Sequence, residues 1–176
     1  MQNKKRPALS KAKGFTLVEL LLYMGLLSFL LAVLTSIFVS VVDVQLESQA
    51  TSTVNQDGDY IISRLNYDIG RAKQLILPAN PADQSPTLNI LINGINYTYS
   101  LNGQDMTLTN NLGTFTLNSF DTIVSNLNFK NISNSPAEAT QSATINISFT
   151  LASKTTRQNG PEVRNIGTTI GLRIKQ

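Results

Sequence analysis

Lys11-Ala12-Lys13-Gly14-Phe15-Thr16-Leu17-Val18-Glu19-Leu20-Leu21-Leu22-Tyr23-Met24-Gly25 is the stretch on which the reading of this chain turns. A basic leader ends at a glycine, an aromatic residue follows, and a single acid sits inside an apolar run. From Leu20 to Val42 the run carries no charge for 23 residues, and Asp43 closes it. At the rise of an α-helix this is roughly 34 Å, enough to cross the hydrocarbon core of a bilayer with some tilt. A carboxylate at the mouth of such a segment costs free energy and calls for a reason.

Residues 1–14 carry Lys4, Lys5, Arg6, Lys11 and Lys13, five of the 14 basic residues, and no acid. The first charges beyond the apolar run are Asp43 and Glu47. The positive-inside bias therefore predicts a cytoplasmic N-terminus, with residues 43–176 on the far side of the membrane. A secretory signal has a shorter apolar stretch and a small-residue cleavage site after it. This stretch is longer and has no A-x-A pattern, and a chain without cysteine cannot undergo lipoprotein processing. The apolar segment is expected to be retained. Residues 15–176 carry nine Lys/Arg against 11 Asp/Glu, so the formal charge of +3 for the whole chain is −2 beyond residue 14. The basic balance belongs to the leader and is not a nucleic-acid footprint.

The order Gly14-Phe15-Thr16-Leu17-Val18-Glu19, behind a basic leader and ahead of a full-length apolar helix, closely resembles the class III signal of type IV pilins and type II secretion pseudopilins. The resemblance implies cleavage between Gly14 and Phe15 by a prepilin peptidase on the cytoplasmic side. It also implies N-methylation of Phe15, and it makes Glu19 the fifth residue of the mature chain.

Cleavage there would create an α-amino cation about one helical turn from Glu19. In staggered helices Glu19 of one subunit can face the Phe15 amine of the next. In low dielectric such a pair is strong, and an unpaired charge is penalised. Glu19 is thus read as a register device for assembly, by analogy with one polar residue in a coiled-coil seam. The plainer alternative is a carboxylate resting at headgroup level without a partner.

From Asp43 to Leu77 the pattern is amphipathic: Val54, Ile61, Ile62, Leu65, Ile69, Ala72 and Ile76 recur at helical spacing. Pro78 and Pro81 are expected to end that helix, and Gly58, between Asp57 and Asp59, is a candidate kink. Gly25 reads as a packing notch. Residues 78–86 read as a linker, after which the period becomes that of strands. Ile95, Tyr97, Tyr99 and Leu101 alternate with Asn96, Thr98 and Ser100. Asn93-Gly94 and Asn102-Gly103 are hairpin signals, so 88–108 is predicted as a three-stranded meander. Further strands are expected at 114–117, 124–132, 143–151 and 166–175, with polar loops at 133–141 and 153–161. The predicted fold class is α+β. It has a leader at 1–14, a transmembrane helix at 15–42, a stalk helix at 43–77, and a β-rich domain at 87–176 whose antiparallel sheet the helix covers.

Arg64-Leu65-Asn66-Tyr67-Asp68-Ile69-Gly70-Arg71-Ala72 and Ile95-Asn96-Tyr97-Thr98-Tyr99-Ser100-Leu101-Asn102-Gly103, with Leu127-Asn128-Phe129 downstream, look like stretches of J-type minor pseudopilins and W-type minor pilins. Position 36 is serine where many major pilins have proline, and no cysteine pair is present for the disulfide loop of major pilins. Both departures favour a minor pilin or pseudopilin.

The chain has no histidine and no cysteine, so imidazole bases, thiol nucleophiles and zinc sites built on them are excluded. No nucleophile elbow and no phosphate-binding glycine loop is present. Asp57-Gly58-Asp59 falls short of a calcium cage. Asp57 and Asp68 could act as an acid/base pair only with a neighbour to shift a pKa. Arg64, Arg71 and Lys73 with Tyr60 and Tyr67 form either a DNA-contact patch or, as preferred, a solvated stripe paired through Asp68. Tyr97 and Tyr99 read as sheet core. Asn96, Asn131 and Asn146 stand in Asn-x-Ser/Thr triplets that a chain this rich in those residues contains by chance.

The expectation is a structural subunit rather than an enzyme, with no cofactor and no metal. Its partners would be the prepilin peptidase, other pilin or pseudopilin subunits, an inner-membrane assembly platform and the membrane itself, with nucleic acid only in a DNA-uptake pilus. It would reside in the bacterial cytoplasmic membrane and then in a pilus or pseudopilus. The rival reading is a signal-anchored extracytoplasmic module that captures DNA, a surface or a secreted substrate.

Overall fold

An apolar run with a capping residue in front of it starts one helix, and strand-period sequence fills the rest. The computed structural model describes residues 14–134, 143–155, 157 and 160–172. Helix α1 spans Leu17–Arg71. Among the described residues nine strands follow: β1 (Gln74–Leu77), β2 (Gln84–Ser85), β3 (Leu88–Ile92), β4 (Ile95–Asn102), β5 (Asp105–Asn110), β6 (Gly113–Thr116), β7 (Thr122–Asn131), β8 (Thr144–Ser153) and β9 (Val163–Gly171). The chain divides into two units, residues 1–42 and 43–176.

In the first unit every large apolar side chain of α1, from Leu17 to Val41, is exposed. Three of the hydroxyls there turn inward instead. Ser28 Oγ donates to Met24 O at 2.8 Å, Thr35 Oγ1 to Leu31 O at 2.8 Å, and Ser40 Oγ to Ser36 O at 3.1 Å. Back-bonding of this kind satisfies each of these hydroxyls within the helix, as an apolar surrounding requires.

In the second unit α1 buries Ala50, Val54, Gly58, Ile61, Leu65, Asp68 and Ile69, steps of three and four that make one stripe. The strands form two antiparallel sheets, β1-β3-β4-β5-β6 and β2-β7-β8-β9, where one sheet was expected. Leu88, Ile90 and Ile92 from the first sheet, and Phe129, Ile145, Ile147 and Leu151 from the second, join the helix stripe in a single core. Each fully buried side chain of this size contributes about 1.5–3 kcal/mol. The amide of Val124 on β7 donates to Gln104 O at 2.8 Å, tying the second sheet to the turn between β4 and β5.

The 88–108 meander forms as read. Asn93 and Gly94 both have positive φ, 51° and 81°, as a type I′ turn requires. The second turn is shifted by one residue. Asn102 is the last residue of β4, and Gly103-Gln104 make the turn, with Gly103 at φ 65°.

Three further expectations are corrected. The helix ends at Arg71 and not at Leu77: Lys73 N donates to Leu91 O at 2.8 Å, and Gln74–Leu77 pair with β3. Strand pairing there overrides the helical spacing of Ile76. The 78–86 linker contains β2, which pairs with β7. Gly58 does not break α1. It is buried, and a Cβ at that position would stand 2.7 Å from Ile166 Cδ1, so the glycine makes room for a strand. Residues 135–141 of the polar loop at 133–141, residues 156, 158 and 159 of the loop at 153–161, residues 173–175 of the last strand, and leader residues 1–13 lie outside the described residues.

Strand β7 departs from simple alternation, and its register with β8 shifts between Ser125 and Asn128. Thr122 and Val124 are buried before the extra residue, and Leu127, Phe129 and Asn131 after it. The extra residue, Asn126 at φ 54°, changes the parity so that both halves face the core.

Candidate processing and assembly site

The residues singled out at the start of the apolar run lie in the first unit. Gly14, Phe15 and Thr16 precede the helix in non-helical conformation, and Gly14 and Phe15 are exposed. Thr16 is the N-cap: Glu19 N donates to Thr16 Oγ1 at 3.2 Å, and Leu20 N to Thr16 O at 3.1 Å. The Thr16-x-x-Glu19 spacing is that of a capping box, and Glu19 lies in the first turn, where the helix dipole favours a negative charge. The Glu19 side chain does not complete the box by reaching back. Its Oε1 instead accepts the Tyr23 hydroxyl at 3.0 Å, one turn further on. The Tyr23 ring meets Phe15 edge to face, with centroids 6.1 Å apart.

Phe15, Glu19 and Tyr23 therefore form one cluster immediately after Gly14. The spacing identified Gly14, Phe15 and Glu19. It also held the signals for Thr16 as cap and Tyr23 as the i+4 partner of Glu19, which the sequence reading passed over.

The other residues considered for chemistry lie in the second unit. Asp68 is fully buried. Its Oδ2 accepts Arg64 Nε at 2.8 Å and the Tyr99 hydroxyl, and its Oδ1 accepts Arg71 Nε at 3.0 Å and Nη2 at 2.6 Å. Burial, reinforced by the bond to Asp68, pushes the Tyr99 phenol well above its ordinary range. Burial disfavours the charged form of Arg64, but the Asp68 carboxylate and Tyr99 together outweigh it and the net displacement is upward. The Arg71 guanidinium lies 4.5 Å from the Tyr67 ring centroid and 5.4 Å from that of Tyr97. The arginines are thus paired through Asp68, as preferred. The stripe is corrected in one respect: its central carboxylate is in the core and not in solvent. Tyr99 is core, as read, with its hydroxyl engaged.

Asp57 belongs neither to a helix break nor to a solvated surface. Its Oδ2 accepts Ser119 N at 2.8 Å, Ser119 Oγ at 2.7 Å and Thr122 Oγ1 at 2.5 Å, fastening α1 to the connection between β6 and β7. Asp57 and Asp68 have separate partners and form no acid/base pair. Among the described residues no group of three or more acidic side chains stands close enough to hold a metal ion. Asn131 is buried, with Nδ2 donating to Pro78 O and Ala79 O at 3.3 Å each, so its side chain is committed within the fold.

Residues 9–35 match the family model described as the prokaryotic N-terminal methylation motif. No curated protein and no solved structure matches the chain. The match spans the leader end, Gly14, the capped helix start and the apolar run as far as Thr35. The chain thus carries the prepilin-type signal of type IV pilins and pseudopilins, on an apolar helix that fits a membrane-anchored pilin-like precursor.

Proposed function

We propose that this chain is a minor pilin or pseudopilin, a structural subunit of a type IV pilus or type II secretion filament. In this reading prepilin peptidase cuts between Gly14 and Phe15, Phe15 is N-methylated, and residues 15–42 anchor the subunit with its β-domain outside the cytoplasm. Assembly with other pilins, through an inner-membrane platform, follows extraction from the membrane. The carrying observation is the methylation motif over residues 9–35. The local geometry supports it, because Gly14 and Phe15 are exposed and lie outside the helix, ahead of the cap.

Glu19 is the register residue in this proposal. The Tyr23 hydroxyl holds its carboxylate within the same chain, and a neighbour's Phe15 amine offers a charged donor in its place. The test is mass spectrometry of the N-terminal peptide from membranes of the native host. A peptide beginning at methylated Phe15 supports the reading, and an intact leader overturns it. Glu19→Ala is expected to insert and be cleaved normally while its incorporation into filaments falls about tenfold or more, the equivalent of ~1.4 kcal/mol. Unchanged incorporation would remove the register role.

A further inference from the structure

Strand β6 is an edge of the five-stranded sheet, and all four of its residues are exposed. Its register with β5 pairs Thr116 with Thr107, Phe115 with Leu108 and Thr114 with Thr109. Leu117 N donates to Met106 O at 2.8 Å, which fixes the phase of the ladder. Every second residue is bonded to β5, so the backbone N–H and C=O of Thr114 and Thr116 point away from it. An edge of this kind is a template for another strand.

Beside that edge lies a cleft of about 370 Å³ between the flank of α1 and the helix-facing side of the sheet. Tyr60, Tyr97 and Phe115 are its aromatic lining, Leu108 and Leu117 its apolar residues, and Arg64 its charged one. Tyr60 and Phe115 are about half exposed, at 53% and 48%. Arg64 commits Nε to Asp68 and keeps 33% of its side chain exposed. A guanidinium has five N–H donors in a fork suited to carboxylates. One carboxylate, Asp68, serves both Arg64 and Arg71, so the cluster retains one net positive charge.

We infer that β6 and this cleft form a docking site for an extended peptide segment of another protein, one carrying an acidic side chain two residues from an apolar or aromatic one, so that both face the cleft. The segment adds to β6 through Thr114 and Thr116. Its apolar side chain enters between Tyr60 and Phe115, and its carboxylate meets Arg64. Backbone pairing supplies the affinity in this mode of recognition, and pockets for alternate side chains supply the selection. The occupant follows from charge complementarity and from the unpaired edge together, and neither depends on leader processing.

The experiment uses the full chain in detergent micelles, isotopically labelled, titrated with the blocked peptide Thr-Val-Phe-Thr-Glu-Thr, whose Phe and Glu share one face. Parallel titrations use the same peptide with glutamine or lysine for glutamate, and an oligothymidylate. Saturable amide shifts at Thr114 and Thr116 are expected with the acidic peptide, about tenfold weaker with the glutamine form and absent with lysine. Arg64→Gln should abolish the preference for glutamate. Because Arg64 also holds Asp68, Phe115→Ser, on an exposed edge, provides the second variant and should weaken all peptide binding. Absence of shifts at millimolar peptide, equal binding of the three peptides, or tighter binding of the oligothymidylate would each overturn the proposal.

Discussion

Residues 17–42 and 43–71 belong to one continuous helix, yet they solve opposite problems. The first part exposes its large apolar side chains on all sides and bonds the hydroxyls of Ser28, Thr35 and Ser40 to its own backbone. The second buries a single stripe and sends its polar groups outward to strands, with Asp57 bonded to Ser119 and Thr122 and Asp68 to Tyr99. An α-helix by itself has no preferred surroundings. The side-chain pattern assigns one stretch to an apolar medium and the next to a protein core.

That contrast can be broken most severely at Asp68. Asp68→Ala leaves two guanidinium groups and the Tyr99 hydroxyl without their acceptor. Removing one partner of a buried pair costs up to several kcal/mol. With both arginines about one-third exposed, a loss of about 3 kcal/mol is expected, read as a fall in the urea midpoint of residues 43–176. Asp57→Ala removes a carboxylate that accepts three hydrogen bonds and should cost about 2 kcal/mol.

Tyr99→Phe is milder, about 1 kcal/mol at neutral pH, and it carries a pH signature. The folded phenol keeps its proton above its ordinary range, whereas the unfolded one loses it near pH ~10. Above that point the folded state binds more protons than the unfolded state, so stability falls as pH rises. The gap between the parent chain and Tyr99→Phe should therefore be full at neutral pH and narrow above pH ~10, as urea titrations at the two pH values would show. The smallest effect sharpens the comparison from the other side. Ser28→Ala, in the apolar part, should move the midpoint of residues 43–176 by less than about 0.5 kcal/mol. A larger shift would mean that the two stretches are not energetically separate.

Much of this was legible in the residues. The apolar run, the leader motif and the meander all announce themselves through local pattern, and Val54, Ile61, Leu65 and Ile69 are buried as their spacing requires. What escaped reading depends on partners remote in sequence. Asp68 looks like a surface ion-pair residue until Tyr99, 31 positions away, is placed over it. Gly58 looks like a breaker until Ile166 occupies the space a side chain would need. Gln74–Leu77 continue a helical spacing, but pairing with β3 decides their conformation. The bulge at Asn126 conceals a change of parity that strict alternation cannot reveal. At the candidate site the cap and the Glu19–Tyr23 bond are local, and attention to turn-length spacing alone would have found them.

The inward-turned hydroxyls of Ser28, Thr35 and Ser40 have a thermodynamic consequence. A helix whose polar atoms are already satisfied presents the same face to lipid tails and to the apolar flank of another helix. Moving it from one to the other breaks no hydrogen bond and buries no new polar atom. The exchange is then close to isoenergetic along this stretch, a bearing surface rather than an adhesive one. In a filament built from such subunits, the direction of travel would come from Glu19 at one end and from work supplied by another protein.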